Sequence, residues 1–374
     1  AQGFRKQEII GSYPRHVCAD QSSLCMRWCL PCLLTCSTLA ERPISASSSA
    51  LNVAVEDASD GKFYLGNSSL KFLEADAFLI DGVKENKDIV LALLVAVSSR
   101  GSGKHLTKVE DCDFFQALFP SFLATTTIGD GFQYAFYVAF DVDDPFYDSR
   151  ERRNEFEELF LTRAGYKQED SLMFDSKAPK ARAQLHWVSV APYVNGETGP
   201  VRAWNSAFQE AFSDGAAYFY QLGDDIRFVT KGWSRALVDQ LHTQGDVGIV
   251  GGRENNYQAG NELMPCVMTS RAHMSIFGSF FPTRMHNWWS DNWILEVYKP
   301  FRLATKVEAV EIENTHATSR YEVSNGDMWI SQDLQDMGKE EVSKYLRLIG
   351  RHVHFPGDVL VMPTSSNRNE KTPC

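Results

Sequence analysis

Two adjacent carboxylates, Asp224 and Asp225, are the residues of this chain best placed to do chemistry. They follow the short, mostly apolar run Tyr218-Phe219-Tyr220-Gln221-Leu222-Gly223, itself preceded by Asp214-Gly215. That order reads as the end of a helix, a glycine turn, a buried strand, and two acids where the strand runs out. In an open α/β sheet, ligands collect at the carboxyl ends of strands. A pair of acids there suits a hard divalent cation that carries a phosphate-containing ligand. An isolated Asp-Asp pair is also what an ordinary acidic turn looks like, so the surrounding elements decide between the two.

Those elements alternate. Asp88 to Val97 is a continuous apolar run with β-branched residues, the pattern of a strand buried on both faces. Ser98-Ser99-Arg100-Gly101-Ser102-Gly103-Lys104 follows as a loop. It is not a P-loop: Ser98 stands at the first glycine position, and His105 stands where Ser or Thr holds magnesium. A loop after the first strand is still a place for nucleotide contact, with Ser98 and Arg100 as its candidates. Residues 109–118 read as helical. Phe132 to Phe140 reads as the second strand, ending in Asp141-Val142-Asp143-Asp144-Pro145, where Asp141 and Asp143 form a rival acidic motif. Arg150 to Ala164 is a charged amphipathic helix closed by Gly165. Leu185 to Val190 is a third strand, Arg202 to Phe212 a helix, and residues 247–252 a further short strand. Strands alternating with helices predict an α/β fold with a mostly parallel, doubly wound sheet. Residues 41–86 read as a loosely structured approach. From about residue 253 the chain is aromatic-rich and less regular, and the tail after Pro363 is polar and expected to be disordered. No internal repeat is visible.

A chain of 374 residues is long enough for a full core. Its 44% hydrophobic and 12% aromatic content are globular values. The net charge of −11, without a basic stripe, argues against nucleic acid as the main partner. It does not argue against a phosphate ligand, because a metal ion can supply the positive charge. Five of the eight cysteines (Cys18, Cys25, Cys29, Cys32 and Cys36) crowd the N-terminus. No second ligand pair follows at zinc spacing. Met26-Arg27, the apolar segment Trp28 to Ala40 and the small residues Ser45 to Ala50 together read as a secretory signal, either a cleaved peptide or an anchor. Met26 then reads as the natural start, with residues 1–25 as upstream sequence. A membrane enters this expectation only through that anchor, and the expected location is the secretory pathway or outside the cell.

Arg202-Ala203-Trp204-Asn205, the helix they open, Tyr218 to Asp225 and then Trp233 resemble the core of GT-A fold glycosyltransferases, in which a helix carrying an Asn precedes a strand ending in an acidic motif. Met268 to Gly278 and Asn287-Trp288-Trp289-Ser290-Asp291-Asn292-Trp293 resemble the acceptor half of those enzymes. The likeness covers roughly residues 88–330. It implies one GT-A-like catalytic domain over 51–363, with a nucleotide-sugar half at 88–252 and an acceptor half at 253–363, after a signal segment at 1–50 and before a tail at 364–374. Two departures stand out. The acidic motif is Gly-Asp-Asp-Ile, not Asp-x-Asp, and the acceptor-side acid is Ser290-Asp291, not Glu-Asp.

The resemblance implies a sugar moved from a nucleotide-sugar donor to a hydroxyl acceptor on a glycan, a protein or a small molecule. Mn²⁺ or Mg²⁺ would neutralise the leaving diphosphate. Asp224 and Asp225 are the implied metal residues, Asp225 the direct ligand, with His316 or His354 completing the shell and His316 in the better region. Asp291, set among Trp288, Trp289 and Trp293, is the implied base, since an apolar wall disfavours the ionised carboxylate and raises its pKa. Trp288 and Trp289 offer flat faces to an acceptor sugar. Arg202 and Asn205 would bind the diphosphate or buttress the metal loop, and Asp141 and Asp143 would face the base or ribose. The plain alternative for Asp291 is a cap on a helix starting at Asn292. Two rival functions stay open: a catalytically silent carbohydrate-binding relative, and a metal-dependent nucleotidyltransferase or phosphohydrolase.

Overall fold

The computed structural model describes residues 89–100, 106–127, 129–165, 183–191, 199–255, 262–287, 289–315 and 325–351. The stretch read as a secretory signal, the approach at 41–86, the tail after Pro363, Trp288, His316 and His354 lie outside these residues.

Eight strands of the described residues form one sheet: β1 (Ile89–Ala96), β2 (Phe132–Asp141), β3 (Ala183–Val190), β4 (Tyr218–Gly223), β5 (Ile226–Phe228), β6 (Ile249–Glu254), β7 (Met268–Ser270) and β8 (Ala304–Asn314). Their order is β3-β2-β1-β4-β7-β6-β8-β5. All run the same way except β7, inserted antiparallel between β4 and β6, and β5, antiparallel on the edge beside β8. The helices are α1 (Phe119–Thr125), α2 (Arg150–Ala164), α3 (Val201–Ser213), α4 (Trp233–Thr243), α5 (Arg271–Phe277), α6 (Ser290–Tyr298) and α7 (Asn325–Leu348).

The apolar run of β1 is explained by its place in the middle of the sheet. Leu91, Leu93 and Val95 enter a core shared with α1, α2 and α4, while Ala92 and Leu94 enter a second core shared with α3, α5, α6 and α7. Helices therefore cover both faces, and the architecture is the doubly wound α/β fold read from the sequence. The first core is aromatic: Phe119 stacks on Phe160 at 4.4 Å, and Trp233 on Phe228 at 4.3 Å.

The local signals worked where they were local. Ser149 caps α2 by accepting from the Arg152 amide, and Gly165 ends it with φ 87°. The stretch 109–118 is helical as read, but not as an α-helix. That stretch is a 3₁₀ turn (Val109–Asp111) and a π turn (Phe114–Leu118), and α1 only begins after them. Pro120 lies in the first turn of α1, where a missing N–H costs nothing, so it starts this helix instead of breaking one. The half after residue 253 is more regular than its composition suggests. It holds the eleven-residue β8 and the 24-residue α7, and its strands join the same sheet as the first half.

The order of strands fixes where a site can be. From β1 the chain moves to β2 and β3 on one side, then returns to β4 on the other. The direction of winding thus reverses between β1 and β4, and the crevice outside their carboxyl ends is the place where such sheets bind ligands. Ala96 pairs in register with Gly223, so Ser98 and the two acids leave the sheet side by side.

Candidate active site

Asp224 and Asp225 stand at that switch point, 2% and 7% exposed. They follow a strand end that is held from three directions. Gly223 lacks a side chain where the Asp225 carboxylate folds back, and a Cβ there would collide with Asp225 Oδ1. The Asp225 main-chain oxygen accepts from the Thr315 amide at 3.0 Å and from Thr315 Oγ1 at 2.9 Å. On α3, the Trp204 indole donates to the Leu222 carbonyl at 2.9 Å.

The two acids bear on different surroundings. Burial pushes the Cys112 thiol up to about 12, and the charge of Asp224 adds to that push. The buried Tyr147 phenol is raised by burial, then by Cys112 and Asp224. Asp225 lies toward Cys266. That thiol is raised by burial, and further by the charges of Asp225, Glu254 and Asp291, against a main-chain contact from Gly223 that lowers it. Asp225 and Asp291 thus act on one thiol, joined by Glu254, which ends β6 and is 4% exposed. Sequence reading passed over Glu254; its only signal was its place after Gly251-Gly252-Arg253 at the close of an apolar strand.

On the other side of the crevice, Ser98 and Ser99 are tied to Asp144: Ser98 Oγ donates at 3.3 Å and the Ser99 amide at 2.9 Å. Arg100 reaches Asp143 with its guanidinium, donating to the main-chain oxygen at 2.8 Å and to Oδ1 at 2.7 Å, and lies 3.7 Å from Asp141. Ser98, Arg100, Asp141 and Asp143 are therefore brought together. Asp141 and Asp143 already face a guanidinium, which does not favour them as the cation-holding pair. Burial raises the Asp141 carboxyl, with Arg100 as the main opposing influence.

Of the α3 residues, Arg202 donates to the Ala191 carbonyl at 2.9 Å, and its charge also reaches Asp141. Asn205 turns away from the acids. Its Nδ2 donates to Phe281 O at 2.9 Å and its Oδ1 accepts from the Phe281 amide at 2.8 Å, so its side chain is spent on the chain leading to α6. These bonds hold Phe281, not the metal loop that Asn205 was expected to buttress.

Asp291 occupies the first turn of α6. The helix starts at Ser290, and Trp289 is its N-cap residue at φ 71°, so Asp291 is not the cap of a helix starting at Asn292. Its Oδ1 accepts from the Asn292 amide at 2.9 Å. Burial raises its carboxyl, and the first-turn amides pull it back. Trp293 is fully buried core and donates to Leu334 O at 3.2 Å. Trp289 is half-buried, and its Nε1 is buried without a hydrogen-bond partner among the described residues. Of the two described tryptophans around Asp291, Trp289 is thus the one whose indole N–H is left without a partner among the described residues.

As a metal centre, the pair is sparse. Among the described residues no group of three or more His, Cys, Asp or Glu could hold an ion. Two carboxylates fit a hard cation whose other positions are filled by oxygens of a ligand and water, and they do not fit a soft metal in an all-protein cage. Among the described residues no helix is long and apolar enough to cross a membrane.

No family model matches the sequence, and no curated protein does. Among solved structures, the chain resembles Staphylococcus aureus TarS residues 1–349, at 12% identity and TM-score 0.42 over 69% of each chain. It resembles the same segment in complex with UDP-GlcNAc at 11% identity and TM-score 0.41, over 69% of this chain and 71% of that one. Against TarS without the 1–349 limit, at 12% identity and TM-score 0.40, the match takes in 71% of this chain and 43% of that one.

Proposed function

We propose that the protein is a metal-dependent glycosyltransferase of GT-A type that takes a nucleotide-sugar donor and passes the sugar to a hydroxyl acceptor. The observation that supports this best is the position of Asp224 and Asp225 at the switch point of a doubly wound sheet, beside the Ser98–Arg100 loop, with Asp225 and Asp291 both bearing on Cys266. One side of the crevice then takes the nucleotide and the other the acceptor.

In this reading Asp225, with Asp224 and His316, holds Mn²⁺ or Mg²⁺. When bound, the ion acts as a Lewis acid on the leaving diphosphate. Ser98 and Arg100 face the nucleotide, with Asp141 and Asp143 steering the Arg100 guanidinium, and Arg202 lies at the diphosphate side. Asp291 removes the proton of the acceptor hydroxyl. Its raised pKa makes it a better proton acceptor than an ordinary carboxylate, and the Asn292 amide opposes that rise. Trp288 and Trp289 supply the wall against which the acceptor rests. The silent-relative reading would leave the nucleotide side without a use, and the nucleotidyltransferase reading wants a basic surface that a net charge of −11 does not suggest.

The test is release of nucleoside diphosphate from a panel of nucleotide sugars in Mn²⁺, with simple glycosides as acceptors. Turnover of at least one donor, lost in excess chelator, is expected. No turnover of any donor, together with binding of free glycans, would favour the silent relative.

A further inference from the structure

We propose that Asp144 is the positioning residue of the donor side: it sets the loop after β1 in the shape that receives the nucleotide, without touching the nucleotide itself. This rests on the donor reading above.

Asp144 is 1% exposed, and its carboxylate collects five donors. Oδ1 accepts from Ser99 Oγ at 2.7 Å, from the Phe146 amide at 3.0 Å and from the Tyr147 amide at 2.9 Å. Oδ2 accepts from the Ser99 amide at 2.9 Å and from Ser98 Oγ at 3.3 Å. A carboxylate offers about four lone-pair sites, so this one is saturated. Burying a carboxylate is costly unless such donors surround it, and a neutral apolar residue would fill the same space more cheaply. What the carboxylate adds is a connection. Two donors come from its own turn, an Asx-type arrangement that begins at Asp144-Pro145. The other three come from a loop 45 and 46 residues earlier. The knot also reaches Arg100, whose amide donates to Ser98 Oγ at 3.1 Å while its guanidinium closes on Asp143, next to Asp144.

A short loop with one end on β1 has many conformations to lose when a ligand orders it. Fixing Ser98 and Ser99 beforehand removes that cost from the binding step, so Asp144 acts through Ser98–Arg100 on nucleotide affinity. Charge alone does not explain the arrangement, because hydroxyl and amide donors, not cations, fill the carboxylate.

The experiment measures dissociation constants of UDP and GDP in Mn²⁺, well below the melting temperature, for wild type, Asp144→Asn, Ser99→Ala and the double variant. Asparagine keeps the size of the side chain but sets an NH₂ group against donors on one side of the knot, whichever way it is turned. Asp144→Asn should weaken the nucleotide that wild type binds by about tenfold or more, and Ser99→Ala by a smaller factor. The double variant should be no worse than Asp144→Asn, because both changes open one network. Amide hydrogen exchange should rise at Ser99 in both single variants. If Asp144→Asn fails to fold, Ser99→Ala carries the test by itself. Unchanged affinity in folded variants, or fully additive losses, would overturn the positioning role while leaving the donor reading in place. Failure of wild type to bind either nucleotide or any nucleotide sugar would sink the donor reading, and this proposal with it.

Discussion

Trp204, on α3, donates its indole N–H to the carbonyl of Leu222, the residue two places before the paired acids. The bond adds to the pairing with β1, which runs to Gly223, at the end of β4 that presents Asp224 and Asp225. Trp204→Phe keeps the ring and removes the donor. It should destabilise the fold by about 1–2 kcal/mol through an unsatisfied carbonyl. It should also weaken metal-dependent nucleotide binding more than an equally destabilising change in the α2 core does. Denaturant melts paired with nucleotide titrations check both halves of this expectation.

Asp225→Asn should raise the metal concentration needed for half-maximal turnover by at least tenfold, because an amide is a poor ligand for a hard cation beside a carboxylate. Asp143→Asn, on the acid that faces Arg100, should leave the metal requirement unchanged. A metal titration of donor turnover in the two variants separates the two acidic motifs.

Asp291→Asn should leave donor binding intact and lower transfer about 10²–10⁴-fold, the usual cost of removing a general base. Since burial raises this carboxyl, the wild-type rate should fall as pH drops through that raised value, when the base takes a proton. The variant should lose that acid limb. A pH–rate profile of both proteins reads the difference.

How much of this was legible in sequence follows how local each signal is. The strand of β1 and the bounds and glycine stop of α2 lie within their own segments, and they were read nearly to the residue. Asn205 was placed correctly on its helix, but its partner Phe281 is 76 residues away, and only the fold shows that its side chain is committed there. Asp144 stood next to a literal Asp-x-Asp and was passed over, because its role depends on Ser98 and Ser99 from another strand. β5 and β7 are three residues each, too short to show a period. α7 contains Gly338, which reads as a break in a helix. It is instead the contact point with α6, where a Cβ would meet Val297 Cγ1 at 2.5 Å.

His273 gives a stability prediction independent of the chemistry. It is fully buried, with Nδ1 at 2.8 Å from Tyr298 Oη and Nε2 at 2.8 Å from Phe280 O. The neutral ring satisfies both if Nε2–H donates and Nδ1 accepts. Burial lowers its pKa from 6.5 to about 4. The unfolded chain therefore takes up a proton in this range that the folded chain refuses. Stability is fully present above about pH 6.5 and is lost as pH falls toward 4, by an amount on the order of 3 kcal/mol. His273→Gln should start lower in stability and show a shallower acid slope between those values in pH-dependent melts.

The most direct measurement of the central claim is the melting temperature of wild type across a panel of nucleoside diphosphates and nucleotide sugars, with and without Mn²⁺. Binding to the folded state alone raises the melting temperature by mass action. The account predicts that at least one nucleotide stabilises the protein by several degrees in Mn²⁺ and not in its absence, and that Asp225→Asn abolishes the shift. Equal stabilisation with and without metal would contradict the role given to the paired acids, and no stabilisation by any nucleotide would contradict the account as a whole.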